Sequence, residues 1–468
     1  MTELRKKYGL FTCIAMITGI VIGSGVFFKS GTVLSSTGGN MYLSIAAWLV
    51  GGLIMLVLCY TFCVIAGKHP NSPGLMGYAD DLIGKKYSYF IGWFWATMYA
   101  PVFSAVVSWV SANYTVVLFG LNDDGAVWMI AMGYMLLLYT LNTLAPKISG
   151  KFQVSALVIK LIPLILMAII GTIVGLVNGT TVDNFGTTVV TEAAENPFFT
   201  AIIACLFAYD GWIVVTSIVP EVKNAKKTVP LALLIGAIII VGVYIVYFIG
   251  IASTMPTIDL ITGNGNEVIK TAFSKIFSNV GGTLLFVFVI ISCLGTANGM
   301  TMSSTRSMYA LANKRMGIAQ DTMGHVTPAT NMPANSGLIG LLLSGVWLVV
   351  WYFSITRLGG AFDISELPIV FLYAMLVPIF VATMHKHKDL HWFNRFVAPI
   401  VSIGCTVFLI IALVYSHKWY VLWFLGVFAV VQIVGIMFMY IGKPQQNDYT
   451  EEKYQQLENN TINTMQLD

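Results

Sequence analysis

Apolar residues in this chain come in long runs, and the charged residues are gathered between them. Twelve runs can be drawn, at about residues 9–34, 41–66, 88–118, 126–145, 151–177, 197–218, 230–254, 282–305, 336–354, 364–384, 396–416 and 419–441. Each is close to or longer than the ~20 residues a helix needs to cross a bilayer core. Lipid offers backbone polar groups no partner, so the pattern predicts an all-α polytopic membrane protein of twelve transmembrane helices. The polar stretch 442–468 predicts a disordered tail, and residues 1–8 a short polar lead. Residues 67–87 read as a turn and a short interfacial helix, and 255–281 as a polar loop with a helix from Asn266 to Phe277. Gly171, Gly175 and Gly179, four apart, predict close helix packing, while Pro163, Pro368 and Pro378 predict kinks.

Two runs carry a defect where a helix should be continuous. The first contains Gly19-Ile-Val-Ile-Gly-Ser-Gly-Val-Phe27, whose glycines each weaken a helix by ~1 kcal/mol relative to alanine. The sixth contains Phe207-Ala-Tyr-Asp-Gly-Trp212, with an aspartate and a glycine at mid-membrane depth. Their starts lie five spans apart, an odd number, so a second five-helix unit would enter the membrane from the opposite side. Interrupted segments at matching positions of two inverted halves point to a transport site. The domains follow: a first five-helix repeat over 9–177, a second over 197–384, and two further helices over 396–441.

The chemistry of such breaks is specific. A half-helix starting after the first break presents free N–H groups at Ser24, Gly25 and Val26, which suit a carboxylate. The half-helices ending at Val21–Ile22 and at Phe207–Asp210 expose carbonyls, which suit an ammonium group. Together they describe the backbone of an α-amino acid. Asp210 counts as the one acid set within the spans; capping of the unwound turn and a coupling role are equally open to it. Lys160 lies nine positions past Lys151, ~13 Å deeper by helical rise, and needs a polar partner there.

Composition agrees. The 468 residues are 57% hydrophobic and 10% charged, with a mean hydropathy of +0.81, which excludes a soluble domain. No cleavable signal peptide is evident. The net charge of +4 is no nucleic-acid signal; its distribution matters more. With the N-terminus cytoplasmic, 19 of the 25 Lys and Arg residues fall in cytoplasmic segments and five outside, Lys29 among the latter. Both termini are therefore expected in the cytoplasm. The six cysteines all lie in apolar runs, so neither a disulfide framework nor a metal site is expected. The six histidines fall in loops or at span ends, and no HExxH or GxSxG occurs. Neither an enzyme nor a cofactor is expected.

Four motifs carry a family resemblance: the two broken segments, the loop Pro220-Glu-Val-Lys-Asn-Ala-Lys-Lys-Thr-Val-Pro230, and Ser304-Thr-Arg-Ser-Met-Tyr-Ala-Leu-Ala312. In this order and at these depths the chain resembles the amino acid–polyamine–organocation superfamily, its L-amino-acid transporter branch most closely. The resemblance implies a five-plus-five inverted repeat of leucine-transporter type with broken helices 1 and 6. It matches Gly23, Ser24 and Gly25 to the carboxylate-binding turn, and Val21, Phe207 and Asp210 to carbonyls for the amine. Phe207 also matches an aromatic gate and Trp212 a pocket wall. Lys160 matches the lysine that replaces a sodium ion in this branch and would tie spans one, five and eight, with Tyr244 bonding that lysine. The family's usual form is lost over His69–Asp80. The loop Gly120–Ala126 lacks the cysteine by which animal members bond a heavy subunit, so no disulfide-linked partner is implied. The expected function is sodium-independent exchange of neutral L-amino acids across the plasma membrane; a proton-coupled symporter and an exchanger of cationic amino acids or polyamines are the alternatives.

Overall fold

The computed structural model describes residues 9–441 apart from 71, 73, 122–123, 187–191, 214–221, 263–264 and 359–362. Among the described residues every regular element is helical, with a single bridge between Thr327 and Met332. The first run is two helices, α1 (Leu10–Val21) and α2 (Ser24–Ser36), bent by 47° at the break. Then come α3 (Met41–Lys68), α4 (Gly74–Leu82) and α5 (Lys85–Phe94). A π turn over Trp95–Tyr99 joins α5 to α6 (Ala100–Phe119). The chain continues through α7 (Asp124–Leu144), α8 (Pro146–Leu166), a second π turn (Met167–Gly171), α9 (Thr172–Val177) and α10 (Thr180–Gly186). The sixth run begins as α11 (Pro197–Tyr209), a helix of 13 residues. Its later part, and the Pro220–Glu221 start of the loop motif, lie outside the described residues, as does the tail.

The rest is α12 (Ala225–Ala252), α13 (Thr257–Thr262), α14 (Gly265–Asn313), α15 (Gln320–Met323), α16 (Ala334–Leu358), α17 (Leu367–Lys386), α18 (Ala398–His417) and α19 (Tyr420–Ile441). Among the described residues, ten helices are long and apolar enough to cross a membrane, eleven with the bent pair α1–α2. The expected external helix is present as the first part of α14, which breaks at Phe277–Ser278, where Ser278 has φ 64°. The interfacial helix expected in 67–87 is α4.

Proline and glycine act locally. Pro163 stands inside α8 just before the second π turn, and Pro378 inside α17. Pro368 is not a kink: it occupies the first turn of α17, where its missing N–H costs nothing. Gly171 and Gly175 face α12 so closely that a Cβ would lie 2.8 Å from the Gly250 carbonyl oxygen and 2.3 Å from Ser253 Cβ. Gly179 departs from that packing role; it turns the chain with φ +81° and meets nothing.

At the centre, α2 packs on α11, α1 on α12, α3 on α12 and α6 on α14, with α19 at the periphery. One end of the bundle collects basic residues. Lys68 pairs with Asp389, Lys314 with Asp80 at 2.9 Å, and Arg395 donates to the Met384 carbonyl at 2.8 Å. There His69 bridges Asp81 and His387, each at 3.0 Å, linking α3, α4 and α17. The opposite end holds Lys29, Asp363, Glu366 and His417.

Candidate functional site

The first break is two residues long. Ile22 still donates to the Thr18 carbonyl at 2.8 Å, but its ψ of 100° ends the helix. Gly23 (φ −148°, ψ −137°) then turns the chain into α2, so the N–H groups at Ser24–Val26 begin a new helix in the interior. At the second break α11 ends at Tyr209, Asp210 is extended (ψ 166°), and Gly211 takes φ 98°, which favours glycine. The breaks touch: a Cβ on Gly25 would lie 2.4 Å from Ala208 Cα, and one on Gly23 2.1 Å from Thr296 Oγ1. Gly25 is demanded by the Ala208 backbone and Gly23 by the Thr296 side chain, in addition to any ligand.

Tyr244 of α12 joins the two breaks. Its hydroxyl lies 2.9 Å from the Val21 carbonyl oxygen and 3.1 Å from that of Ala208. Its expected bond to Lys160 is absent. The Lys160 ammonium donates instead to the Gly19 carbonyl, in the last turn before the break, and is wholly buried. Lys160 thus ties span five to span one; among the described residues it makes no hydrogen bond to span eight. The physical reason is reach, since the phenol lands on the carbonyls freed by the breaks and the lysine arrives one turn earlier.

Phe207 stacks on Phe103 at 5.6 Å and meets Phe28 edge-on at 5.9 Å. Asp210 joins this aromatic group through Tyr99, whose ring packs on Phe103 at 4.9 Å: the Tyr99 hydroxyl donates to one carboxylate oxygen and the Tyr373 hydroxyl to the other at 3.2 Å. The Trp212 indole donates to Tyr373 at 3.2 Å and packs against Phe62. Val21, Gly23, Ser24, Gly25, Val26, Phe207 and Tyr244 therefore converge on the two breaks. Asp210 and Trp212 face α17 and the first π turn. All are buried, which suits a site sealed from both ends.

Sequence reasoning missed Tyr99 and Tyr373, two of 21 tyrosines with nothing to single them out. It also misplaced Lys29, which is no exposed external residue but is 1% exposed between Asp363 at 2.9 Å and Glu366 at 2.6 Å. Asp210 is therefore not the only acid in the spans. The signal was available, because Lys29 and Glu366 both fall within runs drawn from hydropathy, and a buried lysine requires a polar or anionic partner.

The amino acid permease family model matches residues 8–445. The serine/threonine exchanger SteT of Bacillus subtilis is 28% identical over 386 residues, covering 82% of this chain and 84% of that protein. The aromatic amino acid permease FywP of Lactococcus lactis is 24% identical, covering 94% and 96%. The human cystine/glutamate transporter is 23% identical, covering 71% and 66%. The family match begins before α1 and ends past α19, and leaves no part of the helical bundle outside it: the chain belongs to the amino acid permease family.

Proposed function

We propose that the protein exchanges neutral L-amino acids across the plasma membrane, without sodium, by alternating access. The observation that carries this reading is the Lys160 ammonium on the Gly19 carbonyl. A tethered cation at the end of a broken half-helix supplies the charge that a bound metal ion would otherwise supply. The N–H groups at Ser24–Val26 take the substrate carboxylate, the carbonyls of Val21, Phe207 and Asp210 take its amine, and Phe207 with Phe103 closes over it. Val21 already accepts from Tyr244 and keeps a lone pair for an ammonium. The halves 9–177 and 197–384 act as inverted repeats, both termini are cytoplasmic, and no disulfide-linked subunit is needed. The described cysteines are all free, and Cys405 alone is more than marginally exposed.

The names of the similar proteins span hydroxyl-bearing, aromatic and acidic amino acids, so side-chain preference rests on this chain alone. The test is counterflow in proteoliposomes preloaded with each amino acid in turn, with choline in place of sodium and no pH gradient. Exchange of neutral amino acids under those conditions is expected; dependence on sodium overturns the reading. A proton-coupled symporter is the second reading, favoured by the buried Asp210 carboxylate. It predicts that uptake requires a pH gradient.

A further inference from the structure

The cluster around Lys29 does not balance its charge. Lys29 on α2 brings one positive charge. Asp363, before α17, and Glu366, at its N-cap, bring two negative ones. One Asp363 oxygen accepts from Lys29 at 2.9 Å, and the other from the Ser365 backbone N–H at 2.7 Å. Glu366 accepts from Lys29 at 2.6 Å through Oε1, while its Oε2 faces His417 Nε2 of α18 at 3.4 Å. His417 Nδ1 is buried with no partner among the described residues. From α11 the cluster meets the Cys205 thiol, and the rings of Phe28 and Phe207 lie 5.2 and 5.4 Å from the ammonium. Beyond His417 the chain reaches the surface at the exposed pair Lys418–Glu195.

With a neutral imidazole the cluster sums to one net negative charge, with Lys29, Glu366 and His417 buried and Asp363 half-buried beside them. An uncompensated charge in such a site costs several kcal/mol. One proton on the Glu366 carboxyl, facing His417, removes the imbalance. We propose that this cluster is a proton-binding site at the end of the bundle opposite the basic one, occupied when α2 is closed against α17. Once α2 swings away, water solvates both carboxylates, the excess charge is no longer penalised, and the proton leaves. The closed state thus binds one proton more than the open state. Acid on that side favours closure and alkali favours opening, with a limit of about tenfold per pH unit for one proton. This rests on alternating access and on the outward orientation of that end, though not on any particular substrate.

The test uses the full chain in proteoliposomes, carrying Cys405→Ser to remove the one half-buried thiol. Cysteine is introduced at Ser30, buried one residue past Lys29, or at exposed Asn279 as the reference. The labelling rate by an impermeant maleimide is read against external pH with the interior buffered. The ratio of Ser30→Cys to Asn279→Cys cancels the intrinsic ionisation of the thiol. It is expected to rise with external pH, by up to about tenfold per unit in part of the range, and to flatten when Glu366→Gln and His417→Gln are combined. A flat ratio without those two changes overturns the proposal, and needs no further variant to fold. An undiminished slope in the double variant, or a response to internal pH alone, overturns it too. Labelling needs no substrate, so failure of the proposed exchange leaves this outcome readable.

Discussion

Among the described residues two lysines are buried, and they are held in opposite ways. Lys160 has no carboxylate beside it; its ammonium rests on the Gly19 carbonyl beside the broken helix. Lys29, on the far side of the same break, sits between two carboxylates with a histidine behind them. The first arrangement holds α1 to α8 through one hydrogen bond to a backbone carbonyl. The second joins α2 to α17 through ions that water can dissolve. In the exchange cycle proposed above, one anchors the half-helix that stays and the other fastens the half-helix that moves. Burial alone does not reveal the role of a charge; its partners do.

The largest expected effect breaks the second arrangement. Lys29→Met leaves the buried Glu366 and the half-buried Asp363 without their cation, at a cost of ~3–5 kcal/mol. Thermal unfolding in detergent should show a large loss, and adding Asp363→Asn with Glu366→Gln should restore most of it. Equal melting of Lys29→Met and the parent protein would erase the contrast between the lysines. Next is Lys160→Ala, which strands only one carbonyl, for ~1–3 kcal/mol. The protein should still reach the membrane, while counterflow slows by about tenfold or more, equivalent to ~1.4 kcal/mol in the barrier. Exchange at the parent rate would reduce Lys160 to packing. Tyr244→Phe removes the hydroxyl between the Val21 and Ala208 carbonyls and should cost ~1 kcal/mol, with weaker substrate binding measured by thermal shift.

The smallest effect lies at the basic end. Partial burial, and then the neighbouring His69, hold the His387 imidazole below the usual histidine range. The folded protein therefore resists protonation there. The contact from His69 to His387 should be intact above the ordinary histidine pKa and fade as pH falls through it. A modest loss of melting temperature on acidification, absent in His387→Gln, would show it; the same acid response in both proteins would assign it elsewhere.

What could be read in advance follows physical lines. The break at Gly23–Gly25 was legible because a helix interrupted by glycines in lipid needs a reason, and the structure adds a second one in Ala208. Lys160 was legible because its depth demands a partner, and that partner is local to the break. The surroundings of Asp210 were not. Tyr99 reaches it from a π turn, Trp95-Ala-Thr-Met-Tyr99, that contains no glycine or proline to announce an irregular helix. The partners of Lys29 lie 334 and 337 residues away, beyond any local pattern. Tyr244 was placed in the right region with the wrong partner, since depth along a helix does not give the direction in which a side chain points.

The contact of Gly25 with the Ala208 backbone has a mechanical consequence. No side chain lies between α2 and α11 there to act as a cushion, so the two half-helices bear on each other like the arms of a lever on its fulcrum. Sliding of one along the other is resisted there by the backbones themselves. Any displacement that begins at the ionic fastening of α2 is then delivered to the end of α11 carrying Phe207, with no slack to be taken up first.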